Sequence, residues 1–305
     1  RIILQLGSTP STYYAAEPNL PGASGASAAN AALWKYVQEA WVSYKAPIGM
    51  GLRVQMGLFP SPVGPEVIPV KDNWNWSRSD LFVALPTYQT GLQAIYDLTP
   101  RLSAIAGIYN GWNDVVDDNE EKSISAHVTY QVPEALLVQV LYFGGVERPT
   151  GSPEGPYWRH LFDAFAQWDA TARLSLLAHA DAGWEPNRFG VSDWVAGALY
   201  ARVKVIDGLY VAARGDRFNE DVARNATGSA TPIFWPVGWV SSATATLDVR
   251  PTGDHLSVRF EYRHDQADGA IYFRGSVAGS GSTTSPFIPN ATSQDTLTVG
   301  ATGWF

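Results

Sequence analysis

The strongest constraint on this chain is a two-beat rhythm. Segments of alternating apolar and polar residues are joined by a short turn, then by a long polar connection, and the order repeats to the end. Leu256-Ser257-Val258-Arg259-Phe260-Glu261-Tyr262-Arg263 alternates at every position, and 209–214, 199–204 and 52–56 follow the same pattern. A period of two marks a strand with one apolar face. Such segments begin near Ile2, Lys35, Leu52, Thr87, Leu102, Ser123, Leu136, Arg159, Leu174, Asp193, Leu209, Gly238, Leu256 and Ser293. Each is close to the roughly 9–11 residues a tilted strand needs to cross a bilayer. The predicted turns at 47–51, 98–101, 132–134, 169–171, 206–208 and 250–254 each carry Pro, Gly or Asp, the residues tight turns favour. The predicted long connections are 8–34, 59–86, 112–122, 145–158, 185–192, 218–237 and 266–292.

Short turns at one end and long loops at the other are the asymmetry of a transmembrane barrel. A soluble sandwich has no reason to keep that order. Composition agrees. Charged residues are 16% of the chain, against about 25% in soluble domains, yet mean hydropathy is only -0.10. No run approaches the roughly 20 apolar residues of a membrane helix. A strand that alternately faces lipid and lumen reconciles low charge with near-zero hydropathy. The expected fold is therefore all-β: one transmembrane antiparallel up-and-down β-barrel domain over 1–305, with about fourteen strands and twelve or sixteen as the neighbouring counts. An even count puts both termini on the periplasmic side. The absence of cysteine suits passage through an oxidising compartment. The chain opens directly on an alternating segment, so a leader is expected to have been removed. A net charge of -8 argues against a nucleic-acid partner.

Parity assigns the two faces. Ile124, Ala126, Val128 and Tyr130 go to lipid, and Ser125, His127 and Thr129 go inward. The same rule predicts a pore lining of Arg53, Arg101, Arg159, Arg202, Lys204, Arg214, Asp216, Arg259, Glu261 and Arg263, with further acids at Glu39, Asp97, Asp163, Asp181, Asp248 and Asp265. A charge facing the bilayer midplane costs about 2–4 kcal/mol for Arg or Lys, so these groups need the lumen or an interface. They read equally as a charge-lined path with a modest cationic surplus or as a network tying the walls together. An arginine ladder would favour anions and offer bidentate sites to carboxylates or phosphates. The 59–86 connection is the candidate constriction. Trp74 and Trp76 supply anchors, Ser77 lies beside them, and Arg78 is expected to face the narrowest point. Trp112, Trp168, Trp184, Trp239 and Trp304 are expected in the interfacial aromatic girdles. The outer acids Asp114, Asp117, Asp118, Glu120 and Glu121 fit a solvated loop better than a divalent site bridging lipopolysaccharide.

Several stretches together resemble a known family. They are 57–66 (GLFPSPVGPE), 73–79 (NWNWSRS), 86–91 (PTYQTG), 109–113 (YNGWN) and 261–265 (EYRHD). In this order and spacing, from about residue 35 to 305, the chain resembles the putative β-barrel porin-2 (OmpL-like) family of Gram-negative bacteria. The resemblance implies a porin-like channel of the bacterial outer membrane for passive diffusion of small polar or charged solutes. The terminal aromatic Phe305 on an alternating strand resembles the signal read by the barrel assembly machinery, although Gly303 departs from the usual larger apolar residue.

Two other function classes are open to such a barrel, an enzyme and a structural scaffold. The histidines His127, His160, His179, His255 and His264 lie scattered, and no Gly-x-Ser-x-Gly elbow, His-Glu-x-x-His or phosphate-binding glycine loop occurs. His179 and Asp181 share the inward face without an activated nucleophile, so no catalysis, metal or cofactor is expected. A structural barrel that holds a lipoprotein or surface complex, with little conduction, is the alternative. The expected partners are outer-membrane lipid and lipopolysaccharide, the assembly machinery and small solutes. Small lipid-facing residues (Ala164, Ala166, Ala243, Ala245) would also allow a homo-oligomer or a partner membrane protein to pack closely.

Overall fold

The computed structural model describes residues 1–14, 17, 31–119, 121–251 and 255–305. Its elements in chain order are β1 (Ile2–Leu4), α1 (Thr9–Tyr13), α2 (Ala31–Trp34), β2 (Val37–Ala46), β3 (Leu52–Pro60), α3 (Asp80–Val83), β4 (Tyr88–Thr99), β5 (Leu102–Tyr109), β6 (Ser123–Val132), β7 (Leu136–Val146), β8 (Trp158–Asp169), β9 (Leu174–Asn187), β10 (Gly190–Ile206), β11 (Leu209–Asp221), β12 (Arg224–Asn225), β13 (Gly228–Ser229), β14 (Trp239–Val249), β15 (Leu256–Ala267) and β16 (Ser293–Gly303). Fourteen of the strands form one sheet in simple sequence order, β1 to β11 and then β14 to β16. Every neighbouring pair is antiparallel. No helix among the described residues is long and apolar enough to cross a membrane. The short strands β12 and β13 pair only with each other, inside the connection from β11 to β14.

The strand starts follow the alternation to within a few residues. The polar connection expected at 185–192 is different. β9 and β10 continue through it and meet at a hairpin whose pairs run out to Asn187 and Gly190. The reason is that alternation does not stop at Glu185. Glu185, Ser192 and Trp194 are buried on the inner face, while Trp184, Val191 and Val195 are exposed outside. At the opposite end, Asp207-Gly208 closes β10 onto β11, and Gly208 takes φ 78, a conformation open to glycine at little cost. Thr252, Gly253 and Asp254 of the last short turn, Glu120, and much of the first long connection lie outside the described residues.

Burial confirms the two faces. On β9, Leu177, His179, Asp181, Gly183 and Glu185 are buried, while the residues between them are exposed. The outer face carries Val140, Phe162, Val195, Leu199, Leu247, Phe260, Leu297 and Val299, all exposed to the bilayer side. The interior contains more apolar residues than parity alone suggests. Phe59, Tyr109, Leu141, Phe143, Leu161, Trp194, Tyr200 and Phe218 point inward and pack on Val63, Leu81, Ala84 and Leu85 of the 61–87 connection. The girdle is corrected at two positions. Trp168 and Trp184 are exposed on the outer face. Trp112 instead packs inward against Phe143 and Phe234, and the Trp304 ring lies under Lys71 of the inner loop.

Candidate functional site

A loop folded inside a barrel brings backbone N–H and C=O groups away from bulk water, and each needs a partner. Inward-facing charged side chains supply those partners here. The connection 61–87 leaves the outer end of β3 and crosses the interior, touching strands far apart in the sheet. Pro62 O accepts from Gln139 Nε2 of β7 (2.7 Å). Gly64 N donates to Asp163 of β8 (3.4 Å). Farther along, Glu261 of β15 accepts from Trp76 N (2.6 Å), Ser77 N (2.8 Å) and Thr246 Oγ1 (2.7 Å). Trp76 covers the backbone of Gly300 on β16, so a side chain there would collide with the indole.

Arg214 of β11 is the main clamp. Its Nε donates to Asp216 (2.9 Å), one terminal nitrogen to Ser77 O (2.8 Å) and Glu66 (3.3 Å), and the other to Arg78 O (2.9 Å), Ser77 Oγ (3.2 Å) and Thr244 Oγ1 (3.1 Å). Asp216 also accepts from Asp80 N (3.0 Å) at the start of α3 and from Ser242 Oγ (2.6 Å). Arg263 joins Asp80 (2.7 Å) to Asp265 (2.6 Å) and donates to Arg78 O. Arg259 donates to Val70 O (2.9 Å) and Asn75 O (3.2 Å) beside Asp248. The wall residues read from parity therefore meet on one loop.

Other predicted residues sit elsewhere. Arg159 is paired with Glu185 near the outer end (2.7 Å) and lies over Trp112. Lys204 pairs with Asp207 at the opposite, short-turn end (2.6 Å). Arg53 is exposed near that same end, and Arg101 lies in the turn between β4 and β5 rather than on a strand. Trp74 packs edge-on against Tyr200. Arg78 spends its guanidinium on its own loop, donating to Val67 O (3.0 Å), Ile68 O (2.6 Å) and Trp76 O (2.7 Å). Phe305 is fully exposed at the chain end.

Sequence reasoning missed Glu66, Glu17 and Glu220. Glu66 accepts from Ser79 N (2.9 Å) and Ser79 Oγ (2.5 Å). Glu17 takes Val115 N (3.0 Å), Val116 N (3.2 Å) and Tyr88 Oη (2.7 Å). Glu220 takes Ile233 N (2.5 Å), Phe234 N (3.1 Å) and Trp235 N (3.0 Å), which seats Phe234 on Trp194 and Phe218. Nothing local in sequence marks a carboxylate that collects backbone donors from another loop.

At the outer mouth, burial raises the Asp114 carboxyl to about 9, and Asp118, Glu147, Glu17 and Asp117 push it in the same direction. Glu147 rises to about 7, mainly through burial and despite the nearby Arg159. Both groups bind protons more tightly folded than unfolded. The closed loop is therefore most stable below the ordinary carboxylate range, about pH 4, and loses stability as pH rises through 7 and 9. Hydrogen-exchange protection around Trp112 and Val115, corrected for intrinsic rates, is expected to fall over that window. A flat profile would contradict the assignment.

An up-and-down sheet of fourteen antiparallel strands, apolar outside, charged inside and holding a loop within, is the construction of an outer-membrane channel. The chain belongs to the family described as putative beta-barrel porin-2, OmpL-like, whose model matches residues 1–305. It is an outer-membrane porin, a channel for passive diffusion of small solutes. The fold is similar to that of OmpT of Vibrio cholerae in its trimer form (TM-score 0.55, 12% identity, covering 87% of this chain and 80% of that one). It is also similar to OprB of Pseudomonas putida (TM-score 0.51, 14% identity, 87% and 73%). A third similar structure is the outer-membrane channel DcaP of Acinetobacter baumannii (TM-score 0.51, 10% identity, 75% and 78%). No curated protein sequence matches.

Proposed function

We propose that the whole chain acts as one barrel, that the 61–87 loop sets its constriction, and that the channel prefers small anionic solutes. The observation that carries the preference is a cationic vestibule towards the short-turn end. Arg202 and Arg250 lie over the Tyr210 ring, at 4.1 and 5.1 Å from its centre. Arg259 and Asp248 complete the group, with Asp248 paired to Arg250 (3.1 Å) and 3.5 Å from Arg259. Three guanidiniums, Arg202, Arg250 and Arg259, thus gather beside Tyr210 and Asp248. Such a cluster lowers the barrier for anions and matches the planar oxygens of carboxylate or phosphate. Arg202→Ala should move the reversal potential in a salt gradient towards zero while the pore still conducts. An unchanged reversal potential would remove the anion preference. Arg78→Ala should raise conductance or alter ion preference by loosening the loop it stitches, and no change in either would remove its role.

The packed apolar layer of Val63, Leu81, Leu85, Phe143, Leu161 and Trp194 favours a second reading. In that reading the barrel conducts little and holds a lipoprotein or surface complex. Under either reading the chain has no catalytic role. Phe305 presents the assembly signal, the outer rim meets lipopolysaccharide, and the small outward residues Ala164, Ala166, Ala243 and Ala245 allow a second barrel to approach.

A further inference from the structure

Halfway along the barrel wall, β8 and β9 place two aspartates directly opposite each other, Asp163 against Asp181. His179 lies two residues from Asp181 on the same inner face. All three are buried, with Asp163 and Asp181 each 1% exposed and His179 3% exposed. His179 Nε2 is 2.6 Å from Asp163 Oδ2 and 3.2 Å from Asp181 Oδ1. One ring N–H therefore lies between two carboxylates. It serves Asp163, and neither oxygen of Asp181 accepts a hydrogen bond. The other ring nitrogen, Nδ1, also has no partner. A buried carboxylate without a donor is expensive, and a cation held between the three groups would offset that cost.

We propose that Asp163, His179 and Asp181 form a binding site for a divalent transition-metal ion in the channel wall. The three ligand atoms lie within 4.8 Å of one another. One imidazole nitrogen and two carboxylate oxygens suit Zn2+ at bond lengths of about 2.0–2.2 Å, and they leave a coordination position open to water or solute. A divalent ion replaces the single shared proton and balances both carboxylates at once. Tetrahedral bonds of that length set ligand atoms about 3.3–3.5 Å apart, so the short Nε2–Oδ2 pair opens by about 0.7 Å on binding. The second oxygen of Asp163 accepts Gly64 N (3.4 Å), which links the site to the inner loop. Gly64 takes φ 74, and a Cβ there would lie 3.4 Å from His179 Cε1 and 2.7 Å from Leu85 Cδ1, so backbone alone fits over the site. A bound ion would therefore hold the loop against β8 and β9.

The test is titration of the EDTA-stripped, detergent-solubilised full chain with Zn2+, followed by calorimetry, with Co2+ absorption as a second probe of coordination. One tight site per chain is expected. Asp181→Asn, which keeps the side-chain shape, and His179→Ala should each weaken it by about tenfold or more. The folded barrel's heat-modifiable gel mobility checks that each variant has refolded. His264→Ala, which removes an exposed pair with Asp295 on the outer face, should leave the tight site unchanged. Absence of a tight site, or equal affinity in refolded Asp181→Asn, would overturn the proposal. The readout is binding, so it stands apart from any result on conductance.

Discussion

Arg214→Ala is expected to cost about 3–5 kcal/mol of stability and to raise single-channel conductance severalfold. The side chain is completely buried and bridges Asp216, Glu66, two carbonyls of the inner loop, Ser77 Oγ and Thr244 Oγ1. Truncation leaves Asp216 and Glu66 charged without their cation and releases Ser77 O and Arg78 O from the wall. A buried pair broken on one side is far costlier than a surface pair lost. Lysine should not rescue the variant, because one ammonium cannot reproduce a planar fork of five donors. Unfolding in denaturant after refolding into vesicles reads the first effect, and planar-bilayer recording reads the second. A stable variant with wild-type conductance would show that Glu261, Arg259, Arg263 and the apolar contacts hold the loop without Arg214.

Leu199→Arg should cost about 2–4 kcal/mol, whereas Val191→Arg, on the same outer face of β10 near the outer rim, should cost only about 0–1 kcal/mol. Both leucine and valine are exposed, at 69% and 54%. In a soluble protein, two exposed positions would accept arginine about equally. Only a bilayer makes the cost depend on depth. Equal, small effects at both sites would contradict the lipid-facing assignment of β10.

The fold was legible because period-two alternation and turn chemistry are local. Leu256 to Arg263 carries its own face assignment, and Asp207-Gly208 its own turn. The inner loop was legible in part. Its length and its tryptophans set 59–86 apart, and parity placed Arg214, Glu261 and Arg263 on the wall that meets it. What parity could not supply was the partner of each charge. Arg78 was expected to face the narrowest point, and its guanidinium donates to the Val67, Ile68 and Trp76 carbonyls of its own loop. Its neighbours depend on how the loop crosses the barrel, which no local pattern encodes. The inward apolar layer was missed for a related reason. Leu141, Phe143 and Leu161 face inward because loop residues cover them, and parity read alone treats an apolar side chain as lipid-facing. Glu66 and Glu220 were missed because a carboxylate collecting backbone donors has no sequence signature.

Single-channel recording of the refolded chain in planar bilayers, with the reversal potential measured across a salt gradient, tests the central claim most directly. Steady conductance with a reversal potential on the anion-selective side is the predicted result. No conductance across many verified insertions would contradict a passive pore and leave a barrel sealed by its own loop.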